Sequence, residues 1–259
     1  MVTLKNGSHS VLINQGELIS YKENNYEFIH QKDSPGWGHS DTEMFPIIGP
    51  TEDANYRVQV PKGNAIQDQH GLLRELDYTT DSADEHSATF SKEYKAGTVV
   101  ENSKYPKRSR VPRLIWPFNF RFEKRFELLN DRLEISFIIS GDKDMPYMLG
   151  YHPAFQLRSA SPRVVTDNSS YSLDEIMAAG DTALQVAETE RITLADEREL
   201  ELKTSGFRHF MLWSPVTNMI CVEPITFYPY AVEQQFLHEG FMHLNEPKIE
   251  FKIGLIPKK

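Results

Sequence analysis

Residues 118–139 read FNFRFEKRFELLNDRLEISFII and carry the most regular pattern of the chain. Apolar and polar side chains alternate on both sides of Asn130-Asp131, a pair of residue types that favours a tight turn. The apolar positions are Phe118, Phe120, Phe122, Phe126 and Leu128 before the turn, and Leu133, Ile135, Phe137 and Ile139 after it. Because successive side chains of a strand point to opposite faces, this period of two predicts a long antiparallel hairpin with one apolar face.

The same alternation recurs near both ends of the chain. Asn6-Gly7 is a favoured two-residue hairpin turn between short strand-like segments. Residues 18–21 and 26–29 flank a second turn and predict another hairpin. The C-terminal apolar positions are Ile249, Phe251, Ile253 and Leu255. Strands are therefore predicted along the whole chain.

Helical patterns are confined to two short segments. Residues 172–179 begin with Ser172 as a cap and have Glu175 three positions later, as in a capping box. Residues 231–239, just after Pro229, are the second candidate. So many strands with so little helix predict an all-β fold, a large antiparallel β-sandwich. With no repeat and no linker rich in Pro, Gly or Ser, we expect one domain over residues 1–259.

Composition and charge disfavour several classes of partner. The net charge of −9, from 28 basic and 37 acidic residues, argues against nucleic acid, whose phosphates bind to basic surfaces. No apolar stretch is long enough to span a membrane, and no secretory signal is visible at the N-terminus. With a single cysteine, Cys221, these features predict a cytoplasmic protein with a small neutral ligand. The sequence does not indicate the oligomeric state.

Four segments place a polar residue in an apolar neighbourhood beside Gly or Pro. They are MFPIIGP at 44–50, QHGLLRE at 69–75, GYHPAF at 150–155 and CVEP at 221–224. A carboxylate at Glu223 is costly in such surroundings unless it has partners or a chemical role. Taken singly, a strand histidine such as His152 is more often a satisfied core residue than a catalyst. The four segments together favour a catalytic role for His152 more strongly than the histidine does alone.

In this order and at these separations, the segments resemble the aldose 1-epimerase (galactose mutarotase-like) family. The match is to its shorter bacterial mutarotase-like branch. The matching elements are Trp37, Phe45-Pro-Ile-Ile-Gly49, His70-Gly-Leu-Leu-Arg74, His152-Pro-Ala-Phe155 and Glu223-Pro224. The resemblance runs from about Trp37 to the C-terminal strand. It implies the galactose mutarotase-like supersandwich, with an active site on one sheet face.

The resemblance also implies residue roles. Glu223 would be the general base at the anomeric hydroxyl, His152 the general acid at the ring oxygen, and His70 a group that binds and polarises the sugar. Arg74 would orient the substrate, and Trp37 and Arg57 are further candidates for substrate binding. The family's usual His-Gly-Phe-Ala-Arg motif reads His-Gly-Leu-Leu-Arg here, and the sequence does not indicate which Asp, if any, corresponds to the family's sugar-binding aspartate.

The chemistry of the implied residues agrees with these roles. Ring opening of a hemiacetal requires removal of the hydroxyl proton and protonation of the ring oxygen, so neither metal nor cofactor is expected. An imidazole and a carboxylate can perform both steps near neutral pH. We expect His70, His152 and Glu223 to converge on one concave pocket. We also expect His152 and Glu223 to face each other across a gap of several ångströms, since direct contact would leave no room for the sugar and would indicate a structural ion pair.

Two other functions stay open. A run of basic residues is most simply a solvated loop, but it could instead clamp a phosphate and make the substrate a sugar 6-phosphate. The run consists of Lys104, Lys107, Arg108, Arg110 and Arg113. The other open function is a carbohydrate-binding protein without catalysis, since a fold does not determine a function. A binding protein has no need of an acid–base pair, which favours the enzyme.

Overall fold

The alternation of residues 118–139 produces two nine-residue strands in the structure, a computed structural model that describes residues 1–258. In chain order, the strands of these residues are β1 Val2–Asn6, β2 His9–Asn14, β3 Glu17–Glu23, β4 Tyr26–Glu27, β5 Glu43–Met44, β6 Arg57–Val60, β7 Gly63–Ile66, β8 Thr79–Ala83, β9 Ser87–Tyr94, β10 Val100–Glu101, β11 Arg113–Leu114, β12 Phe120–Leu128, β13 Leu133–Gly141, β14 Pro146–Tyr147, β15 Gly150–Tyr151, β16 Ala154–Gln156, β17 Arg163–Val165, β18 Ser170–Ser172, β19 Leu184–Val186, β20 Arg191–Ala195, β21 Glu199–Ser205, β22 His209–Trp213, β23 Met219–Ile225, β24 Met242–His243 and β25 Lys248–Pro257.

Two large sheets dominate the topology. The nine-stranded sheet has the order β18-β17-β20-β21-β25-β13-β12-β9-β8. The six-stranded sheet has the order β19-β22-β23-β15-β5, with β16 also paired to β23. Strands β1 to β4 form a separate sheet, and β6-β7, β10-β11 and β14-β24 are two-stranded ribbons. The strand pairs in residues 1–258 are antiparallel, as the sequence predicted.

The predicted hairpin is confirmed, and its apolar face forms one side of the core. Strands β12 and β13 pair from Phe120↔Gly141 to Leu128↔Leu133, and β25 continues the sheet beside β13. The ring centroid of Phe137 in β13 lies 4.9 Å from that of Tyr151 in β15 of the other sheet. Burial of such a side chain contributes about 1.5–3 kcal/mol. The two large sheets therefore pack face to face as the predicted sandwich.

Helix is scarce, as expected. The α-helix α1 spans Leu173–Ala178, and Ser172 and Glu175 form the predicted capping box, in which each side chain accepts a hydrogen bond from the other's backbone N–H. The remaining helical segments of residues 1–258 are 3-10 helices at Glu52–Ala54, Leu72–Glu75, Gly180–Thr182, Pro229–Ala231 and Gln234–Gly240.

The second helical candidate, residues 231–239, is confirmed in part, because the 3-10 helix Gln234–Gly240 covers most of it. The extended backbone at Val232 and Glu233 separates this helix from the short 3-10 helix Pro229–Ala231.

Among residues 1–258, no helix combines the length and the apolar character that crossing a membrane requires. The single domain over residues 1–259 stays a prediction.

Candidate active site

Glu223 lies in β23, the middle strand of the six-stranded sheet. Its backbone position is paired with Met211 of β22, while β15 and β16 pair with the opposite edge of β23. All seven residues of this strand are buried, and Glu223 itself is 1% exposed. The carboxyl group is thus held on a fully buried central strand, where an ionised form has little access to water.

His152 lies in the break between β15 and β16. Its backbone N–H donates to the carbonyl of Thr42 at 2.8 Å, and the Thr42 N–H donates to the His152 carbonyl at 3.2 Å. The imidazole packs against Trp37, at 4.5 Å between ring centroids, and against Trp213, at 6.0 Å. Two backbone hydrogen bonds and two aromatic neighbours therefore hold this ring in place.

The His152 and Glu223 side chains are in contact. His152 Nε2 lies 3.3 Å from Glu223 Oε1, so the expected gap of several ångströms is wrong. A gap was expected because His152 serves the ring oxygen of the sugar and Glu223 serves the anomeric hydroxyl. The ring oxygen and the anomeric hydroxyl are bonded to the same carbon, however, so an acid and a base that serve them can be neighbours.

His70 approaches the same place from the loop before the 3-10 helix Leu72–Glu75. Its Nδ1 accepts a hydrogen bond from the Gly49 N–H at 3.2 Å. In the neutral ring the hydrogen is therefore on Nε2, which leaves a donor on the other side. Gly71 follows with φ +78°, and a Cβ there would lie 2.2 Å from the Phe45 carbonyl oxygen. Only glycine fits this close approach, which explains the His-Gly pair.

One cavity of about 580 Å³ brings these side chains together. It is lined by His70, His152 and Glu223, which confirms the predicted convergence, and also by Trp37 and Arg74. The His70 and His152 ring centroids lie 6.0 Å apart. A cavity of this size is large enough for a monosaccharide.

The structure places two of the three candidates for substrate binding in the cavity and the third outside it. Trp37 is half-buried and lines the cavity, and so does Arg74, whose Nε is buried without a hydrogen-bond partner within residues 1–258. Arg57 is wrong as a candidate, because its side chain is exposed and does not line the cavity. The strand alternation of β6 explains this: Val58 and Val60 point to the core, so Arg57 points to solvent.

Burial disfavours the charged forms of all three site residues. It raises the pKa of the Glu223 carboxyl well above its ordinary 4.5, an effect that the Arg74 charge partly offsets. Burial, reinforced by Arg74, lowers the pKa of His152 to about 3 and that of His70 well below 6.5. Both shifts favour neutral side chains, a protonated Glu223 carboxyl and an unprotonated His152 imidazole, over a structural ion pair.

The sequence model of the aldose 1-epimerase family matches residues 1–211. The chain belongs to the aldose 1-epimerase family. Protein LacX (plasmid) of Lactococcus lactis subsp. lactis is 28% identical over 206 residues, which cover 75% of this chain and 64% of LacX. The chain thus spans slightly less than two thirds of the length of that relative.

Solved structures agree with the fold of the aldose 1-epimerase family. A galactose mutarotase-like protein from Lactobacillus casei ATCC 334 has a TM-score of 0.81 and 20% identity, with 100% of both chains covered. A galactose mutarotase related enzyme from Lactobacillus acidophilus has a TM-score of 0.75 and 19% identity, with 99% of this chain and 97% of that one covered. At such identities the likeness confirms the predicted galactose mutarotase-like sandwich.

A buried charge cluster lies beside the site of this aldose 1-epimerase family member. It was not predicted from the sequence. Lys124 Nζ lies 2.6 Å from both Asp41 Oδ2 and Glu43 Oε1, and the Tyr151 hydroxyl donates to Asp41 at 2.7 Å. Asp41 and Glu43 flank Thr42, and Tyr151 precedes His152. The cluster therefore anchors both backbone segments that hold the catalytic histidine candidate.

A sequence feature pointed to this cluster. Lys124 occupies an even position between Phe122 and Phe126, on the apolar face of β12, where alternation predicts a buried side chain. A fully buried lysine is almost always paired with an opposite charge. The spacing does not say which carboxylates these are. The aspartate that lines the cavity, Asp181, was also missed, because it lies in an exposed 3-10 turn with no distinctive motif.

The basic run of the sequence divides into two groups. Lys104 and Arg108 line the cavity, with Lys104 Nζ 3.6 Å from Asp68 Oδ1. Lys107, Arg110 and Arg113 are exposed, as in a solvated loop. The solvated-loop interpretation therefore fits Lys107, Arg110 and Arg113, whereas a phosphate clamp at Lys104 and Arg108 stays a prediction.

Cys221 adds a thiol to the His152–Glu223 pair. The potential ligand atoms of these three residues lie within 4.8 Å of one another. Burial, together with the neighbouring Glu223, raises the pKa of the Cys221 thiol well above 9.0, and burial raises that of Glu223 as well. Both groups must lose their protons to bind a metal ion, so the arrangement is a poor metal site.

Proposed function

We propose that this chain is an aldose 1-epimerase that interconverts the α and β anomers of a monosaccharide by ring opening and reclosure. The observation that carries the proposal is the buried contact between His152 and Glu223 in a cavity that His70 also lines. Three titratable side chains from distant parts of the chain meet at one concave, sugar-sized site. Such convergence of perturbed titratable groups is typical of active sites.

In the proposed reaction, Glu223 accepts the proton of the anomeric hydroxyl while His152 donates a proton to the ring oxygen. The bond between the anomeric carbon and the ring oxygen breaks, and an aldehyde forms. Rotation about the bond between C1 and C2 exposes the other face of the carbonyl, and the reverse proton transfers close the ring. Ring opening moves one proton from His152 to the ring oxygen and another from the anomeric hydroxyl to Glu223, and reclosure reverses both transfers. The pair ends as it began, so the proposal requires neither metal nor cofactor.

The substrate itself favours the protonation states that this reaction needs. A hydroxyl that donates to Glu223 stabilises the carboxylate, and a ring oxygen that accepts from His152 stabilises the protonated imidazole. Arg74 assists by favouring ionised Glu223. His70, with its hydrogen on Nε2, is a donor for a sugar oxygen in the same cavity. General acid–base catalysis of this kind contributes about 10²–10⁴-fold.

The test is the rate of anomer exchange, measured by NMR or polarimetry on a panel of free and phosphorylated monosaccharides. We expect at least one sugar to exchange at a rate that is proportional to protein concentration and that the Glu223→Gln variant does not support. If no sugar exchanges faster with the protein than without it, the proposal fails, and binding of the same sugars without exchange would indicate a carbohydrate-binding protein.

A second candidate shares the same chemistry but takes a sugar 6-phosphate. It is favoured by Lys104 and Arg108, the two members of the basic run that line the cavity. The cytoplasmic location and the lack of nucleic-acid and membrane partners stay predictions.

A further inference from the structure

One wall of the cavity that Glu223 lines is a turn held by two tyrosines. The turn consists of residues 181–183, all of which line the cavity. The Tyr230 hydroxyl donates to the Asp181 carbonyl at 2.9 Å. The Tyr228 hydroxyl shares its hydrogen between the next two carbonyl oxygens, each at 3.3 Å. Two side chains from the segment after β23 therefore bind three successive carbonyl groups of this wall.

The backbone of the turn is strained at Ala183. Its φ is +54° and its ψ is 158°, a combination that residues other than glycine rarely adopt. Such conformations persist only where surrounding contacts hold them, and they are concentrated at active sites and ligand-binding sites. The hydrogen bonds from Tyr228 and Tyr230 are contacts of this kind. The turn is thus held in one shape where it borders the cavity.

Tyr230 differs from Tyr228 because it lines the cavity itself. Its single hydroxyl hydrogen is used by the Asp181 carbonyl. Burial, together with Tyr228 and the Glu223 charge, raises the pKa of Tyr230 to about 12, so the oxygen keeps this hydrogen at neutral pH. The described residues provide no donor to the Tyr230 oxygen. A phenol oxygen in this state can act toward a ligand only as an acceptor.

Acceptors are scarcer than donors among the side chains of this cavity. The N–H donors are on His70, Arg74, Lys104 and Arg108. Each hydroxyl of a sugar has a hydrogen to donate as well as an oxygen that accepts, and Glu223 serves only the anomeric one. Asp181 and Thr182 are exposed, where water competes for them. Tyr230 and Gln69 are half-buried, and of these two only Tyr230 is held by a side-chain hydrogen bond within residues 1–258.

We propose that the Tyr230 oxygen accepts a hydrogen bond from one further hydroxyl of the sugar and thereby determines specificity. The site selects sugars that have a free hydroxyl at that carbon over sugars that are deoxygenated or alkylated there, because only the hydroxyl has a hydrogen to donate. The inference rests on the proposed epimerase function and narrows its substrate class.

The experiment replaces single hydroxyls of the substrate by fluorine, which has no hydrogen to donate. NMR exchange gives kcat/KM for glucose and galactose and for their analogues fluorinated at C2, C3, C4 or C6. For each carbon, the ratio of kcat/KM between parent sugar and analogue is compared in the wild type and in Tyr230→Phe, which cancels the effect of fluorine on the chemistry itself. We expect Tyr230→Phe to lower this ratio about three- to tenfold at one carbon and to leave it unchanged at the others.

Tyr228→Phe is the matched control. It removes a hydroxyl that binds to the same turn but belongs to a side chain that does not line the cavity. If Tyr230 acted only by holding the turn, both variants would change the ratios alike. We expect Tyr228→Phe to keep the wild-type ratios at every carbon.

Binding measured by calorimetry separates this inference from the proposed catalysis. At the carbon concerned, the wild type should bind the parent sugar more tightly than the fluorinated analogue, and Tyr230→Phe should bind the two alike. This result without anomer exchange of any sugar would support the hydroxyl contact and overturn the epimerase. Neither exchange nor binding of any of these sugars would overturn both.

Three results would overturn the hydroxyl contact while leaving the epimerase intact. The first is anomer exchange by a wild type that binds the parent sugar and every analogue equally, which requires no variant to fold. The second is a preference for the parent sugar that Tyr230→Phe retains at every carbon. The third is an equal loss of that preference in Tyr228→Phe, which would reduce Tyr230 to a support of the turn.

Discussion

His152 Nε2 and Glu223 Oε1 lie 3.3 Å apart, and the two side chains are 10% and 2% exposed. The residues come from the β15–β16 break and from β23, so only the pairing of these strands brings them together. At this distance the two groups can share one proton. Burial raises the pKa of Glu223 and lowers that of His152, which favours neutral side chains, whereas a substrate that hydrogen-bonds to both groups favours their ionised forms.

The first prediction concerns catalysis. Glu223→Gln preserves the shape of the side chain but removes the proton acceptor, so we expect anomer exchange to slow by about 100-fold or more. His152→Asn should have a comparable effect because the ring oxygen loses its proton donor. Cys221→Ala, on the same strand, is the control and should keep most of the activity. Near-normal exchange by Glu223→Gln, measured by NMR, would contradict the assigned role.

The second prediction concerns the stability of the fold as a function of pH. Burial raises the pKa of Glu223 above 4.5, so the folded state keeps a proton that the unfolded chain has lost. The wild type should therefore lose stability relative to Glu223→Gln as the pH rises above about 4.5, by at most about 1.4 kcal/mol per pH unit, until the folded-state pKa is reached. Urea unfolding of both proteins at several pH values measures the difference. A pH-independent difference would show that Glu223 is ionised in the folded state.

The third prediction concerns the tautomer of His70. Its Nδ1 accepts the Gly49 N–H, and burial lowers its pKa well below 6.5. We expect nitrogen NMR of the imidazole to show hydrogen on Nε2 alone, with no titration near pH 6.5, where an exposed histidine titrates. Detection of the Nδ1–H tautomer would mean that His70 cannot donate to a sugar from Nε2.

The fourth prediction concerns the buried cluster around Lys124. Lys124→Met leaves Asp41 and Glu43 buried without their cation, so we expect a loss of about 3–5 kcal/mol in the free energy of unfolding. Adding Asp41→Asn and Glu43→Gln to this variant should recover much of the loss, because the buried charges are then absent. Urea unfolding provides the measurement. A loss below about 1 kcal/mol in the single variant would contradict the proposed anchoring of the Thr42 segment.

The fifth prediction compares two arginines that sequence reasoning treated alike. Arg74 lines the cavity and has a buried, unpartnered Nε, whereas Arg57 points to solvent from β6. We expect Arg74→Gln to lower kcat/KM about tenfold or more, since it removes a charged donor to the substrate. Arg57→Gln should leave kcat/KM unchanged. The reverse order of effects would place the substrate outside the cavity described above.

Sequence patterns predicted most of the fold because strand periodicity is a local property. The alternation of residues 118–139 directly specifies which side chains face the core, and the Ser172–Glu175 capping box depends on residues within one helical turn. The ordered motifs also predicted that His70, His152 and Glu223 converge, and all three line one cavity. The distance between His152 and Glu223 was not predictable, because it depends on how β15, β16 and β23 pair.

By itself, then, the sequence determined the all-β architecture, the hairpins and the residues of the candidate site. The tertiary structure alone decided that Lys124 pairs with Asp41 and Glu43, which are 83 and 81 residues away, and that Arg57 lies outside the cavity. It also decided that Lys104 and Arg108 separate from the rest of the basic run. The physical reason is that alternation specifies the face of a strand on which a side chain lies, whereas contacts between strands depend on register and on sheet packing, which the whole core determines cooperatively.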